Sequence, residues 1–180
     1  VKDNEPELIK KEILSFGVRC SSLEIDLMNE QNIDLLFDTI QRTLGSPSIL
    51  INNATYSTAT DIENITSQEL DKHYFVNLKA PILLTKTFVE QFNNNEHGRV
   101  INISSGQSLS AMSSEIAYAV TKGAIETFTK TMQHELAFKN ITINAVNPGL
   151  TDSGWMDSGC LDKKQVEIFK KRFPGGRIGL

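Results

Sequence analysis

Tyr118 and Lys122 stand four residues apart, which places a phenol and an ammonium on one face of any helix that contains them. A free tyrosine titrates near pH 10, too high to exchange protons efficiently at neutral pH, and an adjacent ammonium would favour the phenolate and bring that value down. The pair therefore suits general acid/base chemistry at a substrate oxygen. A hydroxyl such as Ser105, closing a nearby apolar run, would hydrogen-bond a carbonyl oxygen and hold it against the tyrosine. The same spacing also fits a surface tyrosine over a snorkelling lysine stem, so the pair needs supporting signals.

Those groups need strands that end together. Apolar runs at 18–25, 48–51, 99–104 and 141–146 read as strands, and the second and third as buried ones, 48–51 lacking the alternation of a half-exposed strand. Each run closes on polar or turn residues: Asp26, then Asn52-Asn53-Ala54, then Ser104-Ser105-Gly106, then Asn147-Pro148-Gly149. Singly these are ordinary turn sequences. Together they would line the carboxyl rim where ligands of an open parallel sheet bind. Apolar periodicity predicts helices over 7–15, 29–44, 82–92 and 114–138, and Thr66-Ser-Gln-Glu69 is a capping-box pattern opening another; Pro81 marks a break or a start. Strands alternating with helices predict one α/β domain with a parallel sheet and right-handed crossovers.

With 39% hydrophobic and 22% charged residues among 180, the chain can bury one sizeable core. A net charge of -4 gives no electrostatic reason to expect nucleic acid or an anionic membrane as partner. Cys20 and Cys160 lack disulfide-framework or metal-ligand spacing, so no metal is expected. No apolar run approaches the ~20 residues that cross a bilayer, and 1–11 is too charged for a signal peptide. A cytoplasmic protein is expected.

In register along nearly the whole chain, these motifs resemble the short-chain dehydrogenases/reductases. Asp26-Leu27 resembles the pair that closes over the adenine ring, and Asn52-Asn53-Ala54 the Asn-Asn-Ala-Gly motif that shapes the cofactor pocket. Asn77 occupies the position of the helix asparagine that holds a water in a proton relay. Ser105 matches the catalytic serine, because thirteen residues separate it from Tyr118; Tyr118 and Lys122 match the Tyr-x-x-x-Lys signature. Asn147-Pro148-Gly149 matches the turn that contacts the nicotinamide, with Thr151 and Ser153 placed to meet its carboxamide. The resemblance implies a Rossmann-like doubly wound sheet, NADP or NAD as cofactor, and reversible hydride transfer to a carbonyl. In that reaction Tyr118 donates the proton, Lys122 lowers the tyrosine pKa and binds ribose hydroxyls, Ser105 orients the carbonyl, and Asn77 supports the water chain. The stretch 147–156 further resembles bacterial 3-oxoacyl-carrier-protein reductases, which implies a small-molecule or acyl-thioester substrate. Relatives pair the helices at 82–92 and 114–138 across a two-fold axis, so a homodimer or homotetramer is expected.

Two departures stand out. Thr55 takes the place where the family usually carries glycine, and no glycine-rich phosphate loop precedes Asp26. In the order 3-2-1-4-5-6, losing strands 1 and 2 would leave the 18–25 strand unpaired, so the chain reads as an incomplete domain lacking those strands, the loop and a C-terminal strand. Residues 150–176 are expected as a lid within the single domain 1–180, hinged at Gly154, Gly159, Gly175 and Gly176, with Trp155 and Met156 as apolar substrate contacts. Lys163, Lys164, Lys170, Lys171 and Arg172 give the lid a basic cluster suited to solvent or to an acidic carrier. The alternative is a non-catalytic dinucleotide-binding sensor or scaffold, which needs the rim but has no use for Asn77, Ser105, Tyr118 and Lys122 together. A further rival, an epimerase or dehydratase of the extended branch, also uses Tyr-x-x-x-Lys, and the Asn-Ser-Ser strand argues against it.

Overall fold

The computed structural model describes residues 5–93, 96–109, 111–149, 151, 167–168 and 171. Among these, the elements run α1 (Glu5–Ser15), α2 (Gln31–Thr43), β1 (Ile49–Asn52), α3 (Ser67–Tyr74), a π turn (Phe75–Lys79), α4 (Ala80–Gln91), β2 (Gly98–Ile103), a 3-10 turn (Gly106–Leu109), α5 (Ile116–Ala137) and β3 (Ile141–Val146). The three strands form a parallel sheet in the order β1-β2-β3, with Asn52 level with Asn102 and Asn102 level with Ala145. Parallel strands need long crossovers, and the α3, π-turn and α4 stretch and then α5 supply them. This is the expected Rossmann-like arrangement.

Parallel register puts Leu50, Val100 and Ile143 on one face and Ile51, Ile101 and Asn144 on the other. The first face is covered: Ile33 and Phe37 of α2, Leu84 and Phe88 of α4, Phe92, and Leu136 of α5 join Val100, Ile141 and Ile143 in one core. Gly98 opens β2 against the residue that follows α4; a Cβ there would meet Ile141 Cγ1 at 2.8 Å and the Phe92 ring at 3.0 Å. The opposite face differs from the sequence expectation of buried strands. Ile49 and Ile51 are each 57% exposed, because the described helices that pack on the sheet gather on one side.

Residues 18–25, expected as the first strand, form none. A strand exists only in a ladder, and these residues face β1 across a cavity of about 760 Å³ lined by Ser22, Leu23, Ile25, Leu50, Ala54 and Leu84. Asn52 stands in the cavity wall with its buried Oδ1 unpaired, while its Nδ2 donates to Asn102 Oδ1 (2.8 Å) and Asn102 Nδ2 donates to Thr129 Oγ1 (2.9 Å).

Pro81 sits in the first turn of α4, directly after the π turn and within a helical run that continues from α3. The π turn carries the buried Asn77. The capping box is half formed. Thr66 Oγ1 accepts from the Glu69 amide (3.2 Å), but the Glu69 carboxylate turns away toward the loop after β1.

Candidate active site

The loop 53–60 leaves β1 at its carboxyl end and is pinned along its length by side chains with no periodic signature. Asn77 Oδ1 accepts from the Tyr56 amide (2.7 Å) and the Thr55 hydroxyl (3.1 Å), and its Nδ2 donates to Tyr56 O (2.8 Å) and Thr121 Oγ1 (3.1 Å). Two acceptances and two donations exhaust an amide side chain. The water expected on Asn77 therefore has no side-chain atom to bind, and the residue works as a clamp between the loop and α5. Thr121 carries the clamp onward, donating to the carbonyl of Tyr118 (2.9 Å).

Glu69 holds the middle of the loop. Its carboxylate accepts from Tyr56 Oη (3.0 Å), Thr58 Oγ1 (2.8 Å) and Lys72 Nζ (3.0 Å), and the Lys72 bond, followed by that of Thr58, pulls its pKa down to about 2. Fully buried His73 completes the grip: Nδ1 bonds Glu69 O (2.7 Å) and Nε2 accepts from the Thr58 amide (3.3 Å), which fixes the Nδ1–H tautomer. Thr60 then caps α5 from outside the helix. Glu115 at the N-cap offers no side-chain cap, so Thr60 O accepts from the Ile116 amide (3.0 Å) and Thr60 Oγ1 from the Ala117 amide (3.2 Å), one residue before Tyr118.

Tyr118 is thus held from both sides. The Ser105 and Thr55 side chains come near enough to its hydroxyl to act on its pKa. Ser104 points elsewhere, buried and bonded to Glu126, so Ser105 is the serine at the tyrosine. Lys122, one turn along α5, is 4% exposed; its ammonium donates to Ile103 O (2.8 Å) and lies 5.4 Å from the centre of the Tyr118 ring. Burial lowers its pKa to about 8.

The expected lowering of the tyrosine by Lys122 does not appear, because the ammonium sits by the ring and is tied to a carbonyl. Burial instead lifts Tyr118 above its ordinary value; the Ser105 hydroxyl opposes that rise, Glu115 adds to it, and Thr55 opposes it.

The remaining candidates fall into two groups. Leu27, Asn53 and Ala54 line the cavity beside β1, and Leu27 also packs against the core. Asp26 is engaged in the turn that opens α2, its Oδ1 accepting from the Met28 amide (2.9 Å) and its carbonyl from Asn32 Nδ2 (2.7 Å). At the end of β3, Asn147 Oδ1 accepts from the Gly149 amide (3.0 Å), and Gly149 has φ +70°, a conformation glycine adopts without strain. Pro148 there is exposed, and Thr151 is half-buried. Ser153, Trp155, Met156, most of the basic cluster and nearly all of the lid lie outside the described residues.

The donor set fits a nicotinamide nucleotide. One of the three Lys122 donors is spent on Ile103 O, leaving two for vicinal hydroxyls, and the ends of β1, β2 and β3 converge on one rim. Among the described residues, no cluster of three or more His, Cys, Asp or Glu could hold a metal, and no helix is long and apolar enough to cross a membrane.

The sequence reading missed Thr60, Glu69, His73 and Thr121, and took Thr55 only as a departure. The Thr66–Glu69 capping pattern was the one signal near this network, and it pointed to the helix end.

The profile of the family described as short chain dehydrogenase matches residues 1–163. An uncharacterized oxidoreductase of Bacillus subtilis (strain 168), YjdA, is 43% identical over 176 residues, 96% of this chain and 68% of its own. The 3-oxoacyl-[acyl-carrier-protein] reductase FabG of Aquifex aeolicus (strain VF5) is 27% identical over 164 residues, covering 91% and 65%. Among solved structures, the promiscuous reductase LugOII, which catalyses keto-reduction at C1 during lugdunomycin biosynthesis, superposes with a TM-score of 0.84 at 32% identity, over 99% of this chain and 73% of that one. A 4-hydroxyisoleucine dehydrogenase complexed with NADH gives 0.74 at 28% identity, over 88% and 66%. The angucycline C-6 ketoreductase LanV with bound NADP gives 0.83 at 26%, over 96% and 68%. The chain therefore belongs to the short chain dehydrogenase family, a family of NAD(P)-dependent oxidoreductases. It spans about two thirds of the length of these relatives.

Proposed function

We propose that this chain carries the acid/base centre of an enzyme that moves a hydride between NAD(P) and a carbonyl or alcohol, with 3-oxoacyl thioesters as the substrate class. One observation carries the reading: buried Lys122 holds its ammonium 5.4 Å from the centre of the Tyr118 ring and bonded to Ile103 O at the end of β2, the strand that Ser105 follows. In reduction, Tyr118 gives its phenolic proton to the substrate oxygen while Ser105 donates a hydrogen bond to the same oxygen and holds it in line. Lys122, still largely protonated at neutral pH with a pKa near 8, turns its two remaining donors to the ribose hydroxyls. The nicotinamide, when bound, supplies or accepts the hydride. Asn53, Ala54, Pro148, Gly149, Thr151 and Ser153 frame the nucleotide, with Asp26 and Leu27 at its adenine end, and Asn77 acts as a positioning residue.

The thioester preference rests on the similarity to the Aquifex aeolicus reductase. The same reading places Trp155 and Met156 in a lid at 150–176 and pairs α4 and α5 across a two-fold axis in a homodimer or homotetramer. The absence of disulfide-framework spacing in the sequence favours a cytoplasmic location. The test is the full-length protein under NADH and NADPH separately, with nicotinamide absorbance followed over 3-oxoacyl thioesters and simple ketones. Consumption that vanishes in Tyr118→Phe supports the reading. Consumption that is equal in both proteins overturns it.

A further inference from the structure

The helix that carries Tyr118 and Lys122 begins without a cap of its own. Glu115 stands at the N-cap of α5 with φ −140° and ψ 47° and makes no side-chain bond to the helix. A capping residue ordinarily takes an extended backbone, from which its side chain reaches the amides two and three places on. The Ala119 amide bonds Glu115 O (2.9 Å) within the helix, so the amides of the turn before it need acceptors from outside.

Thr60, 2% exposed and fifty-seven residues from Ala117, supplies two of them. Its carbonyl accepts from the Ile116 amide (3.0 Å) and its hydroxyl from the Ala117 amide (3.2 Å), while its own amide donates to Ser114 O (2.8 Å). These bonds fix the start of α5 against the end of the loop 53–60, and Tyr118 is the next residue. On the far side the Tyr118 carbonyl accepts from Thr121 Oγ1 (2.9 Å), which itself accepts from Asn77 Nδ2 (3.1 Å). The backbone of the tyrosine is therefore held before and after by groups tied to one loop. Of the three Thr60 bonds only that of the hydroxyl depends on the side chain, and it is the one made nearest to Tyr118.

We propose that Thr60 is a positioning residue for the acid/base centre, its hydroxyl setting the first turn of α5 and with it the place of the Tyr118 phenol beside the end of β2. A cap that served stability alone would change the unfolding midpoint and leave the surroundings of the phenol as they are. A positioning cap changes the phenol itself. The catalytic consequence rests on Tyr118 being the acid/base of the proposed reaction, but the placement of the phenol can be read without turnover.

In the full-length protein, Thr60→Val removes the hydroxyl at nearly constant volume and Thr60→Ser keeps it. Ultraviolet difference titration of tyrosinate, with Tyr118→Phe in the same background as the blank, isolates Tyr118. Burial holds this phenol above its ordinary range, so a first turn that opens is expected to shift the titration downward in Thr60→Val. Where nicotinamide turnover is followed, kcat is expected to fall about tenfold in that variant with the KM for the nucleotide unchanged, because a displaced acid is felt in the transition state and not in nucleotide binding. The serine variant is expected to match the native chain in both measurements. Thr60→Ala covers the case in which the valine variant fails to fold, and the same changes are expected of it. A Tyr118 titration that stays native in the valine or alanine variant overturns the proposal, as does a serine variant that titrates like valine. A nucleotide KM that rises as kcat falls also overturns it, as the sign of general loosening. A shifted titration in a protein with no Tyr118-dependent turnover supports the placement and overturns the proposed reaction alone.

Discussion

Replacing Lys122 with methionine should change how stability depends on pH more than it changes stability at any one pH. Lys122 is 4% exposed, and burial moves its pKa from 10.5 to about 8. Below pH 8 the lysine is protonated whether the chain is folded or not, and the native state bears the whole cost of a desolvated cation. Between about pH 8 and 10.5 the native lysine is neutral while the unfolded one still binds its proton, so unfolding takes up a proton and stability rises with pH. The difference between 10.5 and about 8 is roughly 2.5 units, which at ~1.36 kcal/mol per unit comes to about 3 kcal/mol. Methionine removes the titration and keeps most of the stem, at the loss of the bond to Ile103 O. Urea unfolding of the native and Lys122→Met full-length proteins, without nucleotide, at intervals from pH 7 to 10.5 gives the comparison. The native protein is expected to gain about 3 kcal/mol relative to the variant across that range. Parallel stability curves would refute this reasoning, since they would mean that the ammonium is not desolvated.

Tyr118→Phe is expected to lower kcat by ~10²–10⁴ with an unchanged unfolding midpoint, which steady-state kinetics and urea titration check together. Gly98→Ala forces a Cβ to within 2.8 Å of Ile141 Cγ1 and 3.0 Å of Phe92, so it should cost ~1–3 kcal/mol in denaturant unfolding; an unaltered midpoint would mean that α4 has room to move. Glu69 has a native pKa near 2 against an ordinary 4.5, so its contribution is present above pH 4.5 and lost as pH falls toward 2. In Glu69→Gln that acid-side loss should be smaller, as thermal unfolding across pH 2 to 5 would show.

Elements that repeat a pattern were legible in the sequence. The apolar spacing of Ile33 and Phe37 announced α2, and the run at 141–146 announced β3 to the residue. Tyr118, Lys122 and Ser105 were legible because chemistry demands those groups in that order. Residues 18–25 were misread because a strand is a relation between two segments, and composition reports only one of them. The bare side of the sheet was misread for a similar reason: Ile49 and Ile51 record a preference for cover without saying which part of the chain supplies it. The grip of Glu69, His73 and Asn77 on the loop 53–60 left no trace, since its hydrogen bonds join residues eleven to twenty-two apart with no period to detect.

The π turn at Phe75–Lys79 carries a consequence for how this protein can change. A wider turn adds a residue to a helix, and each residue rotates the remainder of the helix by about 100°. His73 before that offset and Asn77 within it look toward the loop, while Leu84 and Phe88 beyond it look into the core. The segment behaves like two gears keyed to one shaft: loss of a single residue here would bring one set out of phase with the other. Chemistry and packing are locked to a common angular frame, so insertions and deletions that a surface loop would absorb are barred from this helix, and variation is confined to substitution.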